Sequence, residues 1–210
     1  MARQRKTAAS PSLPARQRLL VAATTLFAQK GYAATTVREI VAAAKVTKPV
    51  LYYYFRNKEG IYLSLMRETY GKLDNFLDTF LAEGGTATQK LFRFCDAVFS
   101  LFVENLRAVR VMYSIYYGPP QGAPFFDFDA YHLKFQDALR RLIEEGVRKK
   151  ELRNAPIEDM VWALLGAISV TIEVQLIHPE MAIGREGLSR LMNLILQGIG
   201  KVKKMEKWNE

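Results

Sequence analysis

Residues 35–60 read TTVREIVAAAKVTKPVLYYYFRNKEG, and the fold turns on what this stretch can form. Thr36 offers a hydroxyl to the free N–H groups of a helix start, and Glu39 follows three residues on, the pattern of a capping box. Val37, Ile40, Val41 and Ala44 recur at i, i+3, i+4 and i+7, an apolar stripe on a helix of about two turns. Thr47 offers a second N-cap, with Pro49 in the first turn, where its missing N–H costs nothing. The next helix, about 48–55, has Val50, Leu51, Tyr54 and Phe55 available for burial and keeps Lys48, Pro49, Tyr52 and Tyr53 nearer solvent. Neither helix is long enough to be stable alone. Joined by a tight turn, with a polar and aromatic outer face on the second, they are predicted to form a helix-turn-helix whose outer helix enters a DNA major groove.

The charge supports the same expectation. Residues 1–60 hold eleven Lys and Arg against two acids, Glu39 and Glu59, and this excess equals the +9 of the whole 210-residue chain. The rest is therefore balanced, as expected for a phosphate-binding module attached to a neutral partner domain. Residues 1–12, MARQRKTAASPS, read as a flexible basic arm able to touch phosphate or a minor groove. Half of the residues are apolar, which excludes a disordered chain. The single cysteine, Cys95, excludes an internal disulfide framework and reads as core. With no signal peptide, it suggests a cytoplasmic protein. No apolar run is expected to span a membrane, because the nearest, 160–177, is interrupted by Glu173 and Gln175.

The run Val46-Thr47-Lys48-Pro49-Val50-Leu51-Tyr52-Tyr53-Tyr54-Phe55, followed by Asn57-Lys58-Glu59, resembles the recognition helix and next helix start of the TetR family of transcriptional repressors. Upstream, Phe27, Lys30-Gly31-Tyr32 and residues 35–40 match that family's first helix, turn and second helix, so the resemblance covers about residues 14–62. One position departs from the pattern: the turn residue, usually Gly, is Lys45, which must take an unusual backbone angle at a cost of about 1 kcal/mol.

Helical periods continue through the rest of the chain: about 14–29, 58–83, 88–105, 107–117 (broken by Gly118-Pro119-Pro120), 128–150, 156–177 and 185–203. There is no strand pattern, so the chain is predicted to be all-α. The expected divisions are an arm at 1–12, a DNA-binding domain at 13–60, and a ligand-binding and dimerisation domain at 61–210. In the penultimate helix Met160, Leu164, Ile168, Ile172 and Leu176 form one stripe, and Ala163, Gly166, Ala167 and Val170 a second face of small residues. With Leu188, Leu191, Leu194, Ile195 and Ile199 on the last helix, these faces call for a second copy of the chain.

Lys48, at the open start of the recognition helix, is the first candidate for a base-edge contact, since Lys can read guanine O6 and N7. The resemblance aligns Arg38 with a base-reaching position. Pro49 and Val50 suit a thymine methyl, while Thr36, Thr47, Tyr53, Tyr54 and Lys58 suit phosphate. Tyr52 stands between groove and packing. The resemblance further implies a cavity for a small apolar or aromatic effector, with candidates Phe99, Phe102, Met112, Tyr113, Tyr116, Phe128, Tyr131, Phe135 and Trp162, and Glu173 to orient the ligand. Each of these aromatic residues could equally fill an ordinary core.

Enzymatic chemistry is not expected. His132 and His178 lack cysteine or carboxylate partners at metal-ligand spacing, and there is no nucleophile elbow or phosphate-cradling glycine loop. Neither a metal nor a cofactor is called for. The expected function is a ligand-released repressor that binds a palindromic DNA operator as a homodimer. The rival reading is a nucleoid-type DNA-binding protein without ligand or operator.

Overall fold

A computed structural model describes residues 13–80 and 84–198. Among these the regular elements are helices: α1 (Ala15–Ala34), α2 (Val37–Ala43), α3 (Lys48–Phe55), α4 (Lys58–Phe80), α5 (Ala87–Glu104), α6 (Leu106–Tyr116), α7 (Phe128–Arg148), α8 (Ile157–Ile177) and α9 (Gly184–Gln197), with a 3-10 turn at Pro179–Met181. The all-α expectation holds. The arm at 1–12, Leu81 and the stretch from Ile199 to Lys203 lie outside the described residues.

The chain forms two compact units, one from Met1–Thr69 with Arg107–Phe126, the other from Tyr70–Leu106 with Asp127–Glu210. This differs from a single boundary near residue 60. The α4 helix runs through the boundary, and α6, assigned by sequence to the ligand-binding part, is grouped with α1, α2 and α3.

In the first unit α1 packs on α2 and α3, and the two short helices pack on each other. Leu19, Ala23, Phe27, Ile40, Leu51 and Phe55 close the core and are all buried. Each large side chain among them contributes about 1.5–3 kcal/mol by leaving water. That burial offsets the poor intrinsic stability of helices of 7 and 8 residues. Local chemistry then sets their ends. Thr36 and Glu39 form the full capping box, the Glu39 carboxylate accepting from the Thr36 N–H at 2.9 Å. At the far end of α2, Lys45 N–H donates to Ala42 and Val46 N–H to Val41, a Schellman turn with Lys45 at φ 52° in the place that glycine usually takes.

The α3–α4 junction explains the Asn57-x-x-Gly60 spacing. Asn57 Oδ1 accepts from the Gly60 N–H at 2.8 Å and so caps α4. A Cβ on Gly60 would lie 1.9 Å from the Phe55 carbonyl oxygen, so the close turn requires glycine.

In the second unit α5, α7, α8 and α9 pack against one another. Phe94 sits in its core with Phe135 at 5.2 Å and Phe80 at 5.6 Å between ring centroids. Cys95 is buried beside it, and burial pushes its thiol pKa up, in keeping with a packing role. Lys90 is buried on α5 and pairs with Glu145 of α7 at 3.1 Å. The Glu145 carboxyl is held below its ordinary pKa, first by Lys149 and then by Lys90.

The two faces of α8 separate as their patterns suggest. Leu164, Ile168, Ile172 and Leu176 are buried, while Trp162, Gly166, Val170, Glu173 and Ile177 follow one another along an exposed stripe. By length and composition alone this 21-residue helix could cross a membrane, so the expectation that no segment reaches that length is corrected for α8. Its buried stripe is also what the core helix of a bundle presents.

Candidate nucleic-acid interface

The helix-turn-helix sorts its cations into two sets. Residues 13–60 contain eight Lys and Arg. Four are occupied by the protein itself. Arg16 pairs with Glu68 at 2.6 Å and Lys30 with Glu39 at 2.5 Å, while Arg18 donates to the Ala44 carbonyl at 3.1 Å and Lys58 to the Tyr32 carbonyl at 3.0 Å. The other four, Arg38, Lys45, Lys48 and Arg56, are exposed and, among the described residues, have no ion pair or hydrogen-bond partner for the side chain. All four lie on α2, on α3 or on the residues that flank α3. Unpaired cations so placed are what a polyanion can neutralise without first breaking an internal contact.

The recognition helix carries the rest of the surface. Lys48 and Pro49 are exposed at its start, and Val50 is half-buried. Tyr53 is 82 % exposed, against 49 % for Tyr52 and 42 % for Tyr54, so the three consecutive tyrosines are not equivalent. The Tyr53 and Tyr54 rings meet edge-on at 4.9 Å, which braces the outermost ring. Thr47 is exposed, and its side chain makes no capping hydrogen bond.

Two of the expected phosphate contacts are otherwise engaged. The Thr36 hydroxyl donates to Glu39 Oε2 at 2.8 Å and accepts from the Glu39 N–H at 3.3 Å, so it is committed to the cap. Glu39 also stays charged: the Lys30 ammonium and the Thr36 hydrogen bonds hold its carboxyl at about 2. Lys58 is half-buried, donates to the Tyr32 carbonyl, and lies 4.1 Å from the Tyr32 ring centroid. Burial lowers its pKa. Both side chains are thus held by contacts within the protein. Lys45 and Arg56, conversely, were not among the sequence candidates. Their signal was the local charge excess, and their exposure comes from turns at φ 52° and φ 66°.

The expected pocket residues are divided. Met112, Tyr113 and Tyr116 belong to the first unit and the others to the second. Phe99 and Phe135 are buried, Phe102 is half-buried, and Tyr131 and Phe128 stack around Tyr70 at 4.2 and 5.9 Å. Trp162, at 59 % exposure, and Glu173 stand on the exposed outer stripe of α8. A groove of about 550 Å³ does occur between α1 and the end of α2, lined by Leu13, Val21, Leu26 and Ala44 among others, but by none of these candidates. His132 contacts Gln136, and His178 contacts Glu180.

An all-helical chain with a capped helix-turn-helix and free cations around its outer helix is a DNA-binding regulator in form. Residues 19–65 match the model of the bacterial regulatory proteins of the tetR family. The chain is 30 % identical over 165 residues to the HTH-type transcriptional repressor KstR2 of Mycolicibacterium smegmatis, covering 74 % of this chain and 77 % of that one. It belongs to the TetR family of transcriptional regulators. Among solved structures, the TetR family regulator PfmR of Thermus thermophilus matches with a TM-score of 0.71 and 25 % identity, over 88 % of this chain and 100 % of that one. The regulator FadR of Bacillus subtilis, solved in complex with stearoyl-CoA, matches in fold with a TM-score of 0.68 at 20 % identity, over 88 % and 99 %.

Proposed function

We propose that this protein is a cytoplasmic repressor that binds a palindromic operator as a homodimer and releases it when a small, mostly apolar effector binds. The observation that carries the DNA reading is the sorting of cations: four are tied internally, and four stand free around α2 and α3. In this reading Lys48 and Arg38 address base edges, Pro49 and Val50 a thymine methyl, and Thr47, Tyr53, Tyr54, Lys45 and Arg56 the phosphates. A two-fold pair of recognition helices implies half-sites about one helical turn apart. The outer stripe of α8, with Trp162, Gly166, Val170 and Ile177 exposed, supports dimerisation through the last two helices.

For the effector, the stearoyl-CoA held by the Bacillus subtilis relative makes a long acyl chain the apolar part to test first, carried on its polar, anionic CoA head. An effector that weakens DNA binding a hundredfold must prefer the released state by about 2.7 kcal/mol. The test is to select bound fragments from random duplex DNA with the purified protein and sequence them. A recovered palindrome whose binding weakens on adding stearoyl-CoA supports the whole reading. Unpatterned DNA would instead support the nucleoid-type alternative. A palindrome indifferent to acyl-CoA would retain the operator and discard the effector class.

A further inference from the structure

The DNA-binding unit includes a contact from far along the chain. Gln121, in the loop after α6, lies 89 residues from Tyr32, yet its Oε1 accepts from the Tyr32 N–H at 2.8 Å. Its Nε2 donates to the Ser114 carbonyl near the end of α6 at 3.0 Å. One side-chain amide thus spans from α6 to the last turn of α1. The space for it is made by Gly31, which sits at φ +83° and breaks the helical path of α1. A Cβ there would lie 2.7 Å from Gln121 Oε1.

What the amide holds leads directly into the helix-turn-helix. The Thr35 N–H donates to the Tyr32 carbonyl at 3.2 Å, and the Thr35 hydroxyl to the Gly31 carbonyl at 2.8 Å. Thr36 then caps α2. The kink at Gly31 and the start of α2 are therefore linked by consecutive short contacts, with Gln121 closing them from outside. Neither Gln121 nor α6 falls within the 19–65 stretch that matches the family model.

We propose that Gln121 is a positioning residue for DNA binding: its amide fixes the Gly31–Tyr32 kink against the end of α6 and so sets the direction in which α2 and α3 leave α1. This rests on the operator-binding reading above. It adds that the helix-turn-helix is incomplete without residues from the α6–α7 loop.

The experiment compares full-length wild type with Gln121→Met, which keeps the length but loses both hydrogen bonds, and Gln121→Glu, which keeps an acceptor for Tyr32. The first readout is hydrogen exchange at the Tyr32 amide, and the second is affinity for the duplex recovered from random DNA by the wild type. In Gln121→Met the amide should exchange about tenfold faster and the duplex should bind roughly fivefold more weakly or worse, the scale of one lost neutral hydrogen bond. Gln121→Glu keeps the acceptor for Tyr32 but loses the donor to Ser114, so it should restore slow exchange and recover only part of the lost affinity. Unchanged exchange in Gln121→Met overturns the contact. Faster exchange with unchanged affinity overturns the positioning role, as does equal weakening by both variants. If the wild type selects no sequence, the operator reading fails, and with it the DNA-positioning claim; the exchange comparison still decides separately whether the Gln121 contact exists.

Discussion

Lys58 and Tyr32 meet twice: the ammonium donates to the Tyr32 carbonyl at 3.0 Å and lies 4.1 Å from the centre of the Tyr32 ring. The α4 start is thereby tied to the end of α1 by a charge that the sequence alone would send to a phosphate. Replacing Lys58 by Met should lower unfolding free energy by about 1–2 kcal/mol, for a half-buried charged hydrogen bond and a cation–π contact. It should leave the salt dependence of DNA binding nearly unchanged. A true phosphate contact would instead lower that slope by about one unit with little effect on stability. Urea unfolding and a salt titration of DNA binding separate the two.

Lys48 stands free at the start of α3, so its removal tests recognition without disturbing packing. Lys48→Ala should cost the preferred duplex about 1–3 kcal/mol relative to scrambled DNA while stability stays within about 0.5 kcal/mol of wild type. Competition binding checks it. Retained discrimination would remove Lys48 from the base contacts.

The Tyr62 hydroxyl is fully buried and has no hydrogen-bond partner among the described residues, and burial pushes its pKa up to about 12. An unmade hydrogen bond of this kind costs about 1–3 kcal/mol. Tyr62→Phe should therefore stabilise the protein by about 1 kcal/mol in urea unfolding. A loss of stability would mean that the hydroxyl has a partner in solution.

Val170 is 58 % exposed on the outer stripe of α8, and a Cβ placed at Gly166 would meet nothing within 4 Å in the subunit. Val170→Glu should preserve helix content but give a monomer by light scattering, and weaken operator binding by about 100-fold or more, because the two half-sites would no longer be bound as one. A stable dimer in that variant would locate the interface elsewhere.

What could be read in advance was mostly what local chemistry decides. The cap at Thr36, the turn at Lys45, and the inner and outer faces of α8 follow from neighbours within a few residues, so spacing revealed the helices and the faces of α8. Lys58 shows where that stops: its burial depends on Tyr32, 26 residues away, and a surface lysine and a buried one have the same letter. Gln121 is further from its partner still, and nothing in Gln-Gly-Ala-Pro announces a contact with α1. Trp162 is named for a cavity because the resemblance implies one lined by aromatic residues, whereas the helical phase it shares with Gly166, Val170 and Ile177 faces outward. Pattern gives a residue's face, and the fold decides what that face meets.

The two turns that bracket α3 bear on redesign. Lys45 and Arg56 both hold positive φ with a full side chain, where glycine would be easier by about 1 kcal/mol each. An engineer ranking substitutions by thermostability would choose glycine at both and would obtain a sturdier protein with two fewer exposed charges beside its recognition helix. On the proposed operator-binding reading, the stability optimum and the binding optimum of this chain lie at different sequences, and the distance between them can be written as two codons.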